Sequence, residues 1–146
     1  MKTDIHIQTL KAKKLLEENG YTCVLLKDNK EFFSRERGVK PLLNLIDSQE
    51  DFSGFFASDK VVGKAASMLY ILLKVKEIFA EVISEPALEI LQTSGIKVFY
   101  NNLVKRIENR NKDGFCPMEE VVLNCNSPKS AYFLIKEKLI FLQNKG

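Results

Sequence analysis

A single histidine and three widely spaced cysteines are the whole stock of soft metal-ligating side chains in this 146-residue chain. Cys23, Cys116 and Cys125 are odd in number and far apart, so neither a disulfide framework nor a clustered zinc site is expected. Reduced thiols in the cytoplasm are the expectation instead. The lone histidine, His6, falls in a helical segment at the amino end, and a His-assisted serine or cysteine nucleophile would require it to fold over a distant site. The longest apolar stretch, Met68 to Leu73, is far short of the roughly 20 residues that cross a bilayer. The opening Met1-Lys2-Thr3-Asp4 lacks the apolar run of a secretion signal. Charge bias is also missing. With 22 basic and 19 acidic residues interspersed, the net charge of +3 makes no case for nucleic acid or a membrane surface. The length suits one domain, residues 1–146, with a real core, and there is no internal repeat, linker or low-complexity tract.

What is present reads as alternating elements. Asp4 to Asn19 has amphipathic spacing, with Leu10, Leu15 and Leu16 apolar and Gly20 as its stop. Tyr21 to Lys27 is rich in strand formers, Asp28-Asn29-Lys30 turns, and Glu31 to Ser34 returns as the second arm of a hairpin. A charged loop, Arg35-Glu36-Arg37-Gly38, leads to a short helix opened by Lys40-Pro41. Phe55 to Ala57 approaches a helix expected from Asp59 to about Lys74, apolar all round and therefore covered on most sides. Glu77 to Ile83 reads as a buried strand, Glu85 to Thr93 as a helix ended by Gly95, and Ile96 to Tyr100 as a further strand. After a polar loop from Asn109 to Gly114, Pro117 and Pro128 each mark a helix start, the second with Ser127 as N-cap.

This order gives a mixed sheet flanked by helices. Right-handed crossovers would place the two strand-to-helix junctions, Ser58-Asp59-Lys60 and Ser84-Glu85-Pro86, side by side at the carboxyl edge, where open α/β sheets bind ligands. Ser58 and Ser84 read first as N-caps, with ligand contact as the sharper alternative. Backbone N–H groups at the same helix starts suit a phosphate or carboxylate, with Lys60 or Lys64 as balancing cation, whereas Asp59 and Glu85 would repel an anion and suit ribose hydroxyls or a cation. Arg35 and Arg37 share a side if the strand continues that far, and either fork an anion or pair with Glu31, Glu36 or Asp51. Cys116, before Pro117, is the one cysteine that a helix dipole would activate, opposed by Glu119 and Glu120; an inert buried thiol is the plain alternative.

The segments Ser34 to Pro41, Asp59 to Ala66, Glu81 to Leu88 and Cys116-Pro117-Met118-Glu119 resemble a prokaryotic family of unknown function assigned to the cytidine-deaminase-like fold. That resemblance implies a three-layer α/β/α domain with an N-terminal hairpin followed by strand-helix units, and a site at two helix starts. The zinc chemistry of such folds needs a His or Cys with a nearby Glu at the first start and C-x-x-C at the second. Here the starts read Asp59-Lys60-Val61 and Glu85-Pro86-Ala87-Leu88-Glu89, so no metal or other cofactor is expected. Three function classes follow: a metal-free domain binding a nucleotide-like or other small polar ligand; an enzyme using Cys116 or the Asp59 and Glu85 carboxylates; and a protein-interaction module. The carboxyl-terminal helix from Ser127 to about Gln143 carries Phe133, Ile140 and Phe141 outside its core-facing stripe. A two-fold dimer through that helix is expected, unless the amino-terminal helix covers the surplus.

Overall fold

Helix α1 (Ile7–Asn19) starts where the His6 ring accepts the Gln8 N–H at 3.0 Å and stops at Gly20, whose φ of 68° only glycine adopts cheaply. These assignments come from a computed structural model that describes residues 4–108 and 116–145. The polar loop read at 109–114 therefore lies outside the described residues. Strands β1 (Cys23–Lys27) and β2 (Lys30–Ser34) form the expected hairpin with Lys27 opposite Lys30. Helix α2 (Lys40–Asp47) follows, with Pro41 in its first turn.

The rest alternates: β3 (Phe56–Val62), α3 (Lys64–Leu73), β4 (Glu77–Ser84), α4 (Glu85–Thr93), β5 (Lys97–Val104), α5 (Pro117–Val122) and α6 (Pro128–Lys145). The sheet order is β2-β1-β3-β4-β5, with β1 antiparallel to both neighbours and β3, β4 and β5 parallel. The chain is thus a mixed-sheet α/β domain. Alternate side chains divide the sheet between two layers. Val24, Leu26 and Phe79 meet Ala12 and Leu16 of α1, while Leu25, Ala57 and Ile78 join a larger core with α2 to α6. Burial on both faces explains why β1 is apolar without a break from Cys23 to Leu26.

Four expectations need correction. The helix read from Asp59 begins at Lys64, because Val61 and Val62 stay in register with Val82 and Ile83 and carry β3 five residues further. Ser58 is consequently no N-cap: it is fully buried in mid-strand, and its hydroxyl donates to the Ala12 carbonyl of α1 at 2.7 Å. In α1 the buried stripe is Thr9, Ala12 and Leu16, and Leu10 is exposed. β5 also runs on to Val104, since its ladder with β4 continues to the pair Ser84 and Val104 despite two asparagines in between.

Candidate functional site

The strand direction reverses between β1 and β3, and a cleft of about 430 Å³ opens at the carboxyl end of β3 on the α3 side of that boundary. Its floor is Cys23, Asp59 and Val61; the loop Arg37-Gly38-Val39 and the start of α2 form one wall, and Cys116 to Glu119 of α5 face the start of α3. The volume suits a small molecule. Gly38 turns the wall with φ 80°, a conformation that a side chain would strain.

Asp59 is the chemical centre of the floor. It stands opposite Cys23 in the β1–β3 ladder, and its Oδ1 accepts the Val61 N–H at 3.1 Å. Oδ2 accepts the Tyr70 hydroxyl at 2.5 Å, and that hydroxyl lies 3.3 Å from the Cys23 sulfur. Tyr70 is fully buried on α3, so the chain of three groups cannot swing out as a unit. Withdrawal from water lifts the Asp59 carboxyl to a pKa of about 7, against the opposing pull of the hydrogen bonds from Tyr70 and the backbone. Burial likewise pushes the Cys23 thiol and the Tyr70 hydroxyl upward, with the Asp59 charge adding to both. The three form one hydrogen-bonded chain that has two orientations: with Asp59 ionised its proton donors run toward the carboxylate, and with Asp59 protonated they run toward sulfur.

Glu119 shapes the opposite wall. Its carboxylate accepts the Lys64 N–H at 2.7 Å and the Ala65 N–H at 2.8 Å, filling the positive end of α3. Burial raises its pKa, partly offset by those two backbone donors and by Lys64. Gly63 makes room for it: a Cβ there would lie 2.3 Å from Glu119 Oε1. The Lys64 ammonium crosses to the Leu123 carbonyl at 3.0 Å, so the junction is pinned from both sides. The N–H groups at this helix start that the sequence reading offered to a phosphate are occupied from within the chain.

Of the residues singled out from sequence, Arg37, Asp59, Lys60 and Cys116 line the cleft. Ser58, Lys64, Ser84, Glu85 and Arg35 do not. Ser84 caps α4 through the Ala87 N–H at 3.2 Å, and Glu85 follows it in the first turn. Arg35 donates to the Asn19 carbonyl at 3.1 Å and stacks its guanidinium on Tyr21, away from its sequence neighbour Arg37. Cys116 precedes a six-residue helix and makes no side-chain cap bond there. His6 is at the other end of the sheet. Its ring stacks on Phe56 and its N–H donates to Glu77, both at the amino ends of their strands. Among the described residues no group of three or more His, Cys, Asp or Glu side chains is placed to hold a metal ion. The donor set of a zinc deaminase does not fit these two helix starts.

The sequence reading assigns Glu119 only an opposing charge near Cys116, Gly63 a packing role and Cys23 the place of an inert thiol, and it places none of them, nor Tyr70, in the site. Only Tyr70 carried a local signal, as a hydroxyl inside an otherwise apolar helix that must find a buried partner. The capping carboxylate comes from 55 residues beyond Lys64, the first residue of the helix it caps, a separation that no local pattern reports.

A mixed α/β domain with its cleft at the reversal of strand direction is the class that these features define. Within that class the chain belongs to the DUF1893 family, a domain of unknown function, whose model matches residues 11–139. It is similar to the DUF1893 family protein TM1506 of Thermotoga maritima, known from a crystal structure, with 26% sequence identity and a TM-score of 0.83 over 94% of this chain and 95% of that one. No curated protein matches the chain. No helix among the described residues is long and apolar enough to cross a membrane.

Proposed function

We propose that this domain is a metal-free member of the cytidine-deaminase-like fold that binds a small polar or nucleotide-like ligand in the cleft over Asp59. The hairpin, the strand order β2-β1-β3-β4-β5 and the strand-helix units after β3 support the fold. One observation carries the function. A partly buried carboxyl, backed by buried Tyr70 and Cys23, is held largely out of water on the floor of a cleft with mainly apolar walls. A domain that needed only stability would gain by placing an apolar side chain there. The free Cys23 thiol touching Tyr70 fits a reducing compartment such as the cytoplasm.

Thermal shift against a panel of nucleosides, nucleotides and sugar phosphates tests the reading. A ligand that binds only the folded chain raises its melting temperature, by the equivalent of about 2.7 kcal/mol at one hundred times its Kd. One chemical class should do so. A flat response across the panel would favour a protein-interaction module instead.

The proposal includes a two-fold contact through α6. Ala131 and Ile135 of that helix are buried, while Phe133, Ile140 and Phe141 are each at least half exposed. Helix α1 lies on the opposite face of the sheet, against β1, β3 and β4, and leaves them uncovered. Light scattering at micromolar concentration should give a dimer mass that falls to monomer on Phe141→Asp. A monomer mass for the unaltered chain would end this part of the proposal.

A further inference from the structure

We infer that Asp59 is the recognition residue of the cleft and that it receives an amidine-type edge, two N–H donors flanking one carbon, as on a guanine base. This rests on the binding cleft proposed above and names the chemistry of its ligand. An ionised carboxylate has about four acceptor positions, and the well-formed hydrogen bonds from the protein use one on each oxygen, Val61 N–H on Oδ1 and Tyr70 Oη–H on Oδ2, while the Lys60 N–H that also favours the charged form is held mainly by the Thr22 carbonyl. Each oxygen keeps a lone pair, and the carboxylate lines the open cleft. Fixed from behind by a strand N–H and a buried tyrosine, its plane is set before a ligand arrives. Two acceptors held in one plane match two parallel donors, the geometry by which carboxylates take guanidinium and amidine groups in pairs.

The rest of the lining narrows the choice. An anion placed directly on Asp59 would be repelled. A free cation would meet Arg37 and Lys60, which line the same cleft and have no ion-pair partner among the described residues. Of the remaining charged groups of the lining, Glu119 is committed to the start of α3, and Glu108 faces Arg106 at 3.9 Å in an exposed ion pair. A neutral ring with a donor pair at one end and an anionic substituent at the other satisfies both sets of charges. Val39, Pro41, Leu42, Val61 and Met118 offer the apolar walls that a flat ring needs. Two ligand donors would also replace the water that the carboxylate has lost.

Guanosine 5′-monophosphate and inosine 5′-monophosphate differ only in the 2-amino group, one of the two donors. Calorimetric titration at pH 8, where Asp59 is ionised, should show the guanine nucleotide binding at least about tenfold more tightly, the loss of one hydrogen bond to a charged acceptor being worth that much. Asp59→Asn should remove this preference while the variant melts no lower than the parent, which excludes unfolding as the cause. Equal affinity for the two nucleotides, or a preference that survives Asp59→Asn, overturns the inference and leaves the cleft reading standing. Failure of the guanine nucleotide to bind, with another panel compound binding, has the same result. Failure of every compound overturns both.

Discussion

Truncating Glu119 to alanine is expected to cost about 2–4 kcal/mol of stability, because it strips two charge-assisted hydrogen bonds from the start of α3 and leaves the Lys64 and Ala65 N–H groups without a protein partner. The range is set by about 1.5–3 kcal/mol for a hydrogen bond to a charged group, reduced because water from the cleft replaces part of what is lost. Gly63→Ala should reach a similar value by a different route. The backbone at Gly63, φ −97° and ψ −175°, is extended and open to any residue, so strain contributes nothing. The new Cβ would instead sit 2.3 Å from Glu119 Oε1. The carboxylate is the end of a flexible side chain and can move away, which limits the penalty to the cap that it abandons. Each change then removes the same interaction, and the double variant should be much less destabilised than the two singles added together. Urea denaturation of the four proteins measures this. Additive losses would mean that Glu119 and Gly63 act separately and that the cap is not what holds α5 across α3.

The hairpin, the helix openings at Pro41, Pro86, Pro117 and Pro128, and the mixed sheet were legible because each depends on local chemistry: a turn residue, a fixed proline φ, a run of strand formers. The β3–α3 boundary was not. Ser58-Asp59 has the composition of an N-cap and first turn, yet the ladder with β4 holds Asp59 to Val62 extended, and the helix starts only where Gly63 admits a carboxylate from far along the chain. That displacement rearranges the candidate site. Ser58 turns to the α1 face, Lys64 to the carboxyl end of α5, and Asp59 to a place above Tyr70 and Cys23. Reading the junction helped to locate the sheet edge. It reached only part of the cleft, Arg37, Asp59, Lys60 and Cys116, because the second wall is built by α2 and α5, whose positions follow from tertiary packing around Leu42, Val122 and Ile135.

Asp59→Asn should make the protein more stable than its parent at pH 8 and leave the two nearly equal at pH 4. The Asp59 carboxyl ionises near pH 7 in the folded chain and near 3.8 once unfolded. A folded-state value raised in this way means that the neutral acid is favoured by folding. Its stabilising contribution is complete below the unfolded value, shrinks as pH rises between the two, and is gone above about pH 7. The full shift corresponds to roughly 4 kcal/mol, and because solvent still reaches the partly buried side chain from the cleft about 1–3 kcal/mol is the expected effect. Asparagine reproduces the neutral form: its oxygen accepts the Val61 N–H, and its amide donates to the Tyr70 oxygen, which in turn donates to Cys23 sulfur. Nothing is left unpaired, so the variant keeps the fold and loses the penalty. Chemical denaturation in steps from pH 4 to pH 9 should show the gap opening between pH about 4 and 7 and then remaining level. A gap that is constant across that range, or a variant less stable at pH 8, would mean that the carboxylate is not held against its own solvation. The expected gain on removing the carboxylate would support the reading that Asp59 serves the cleft it faces rather than the fold.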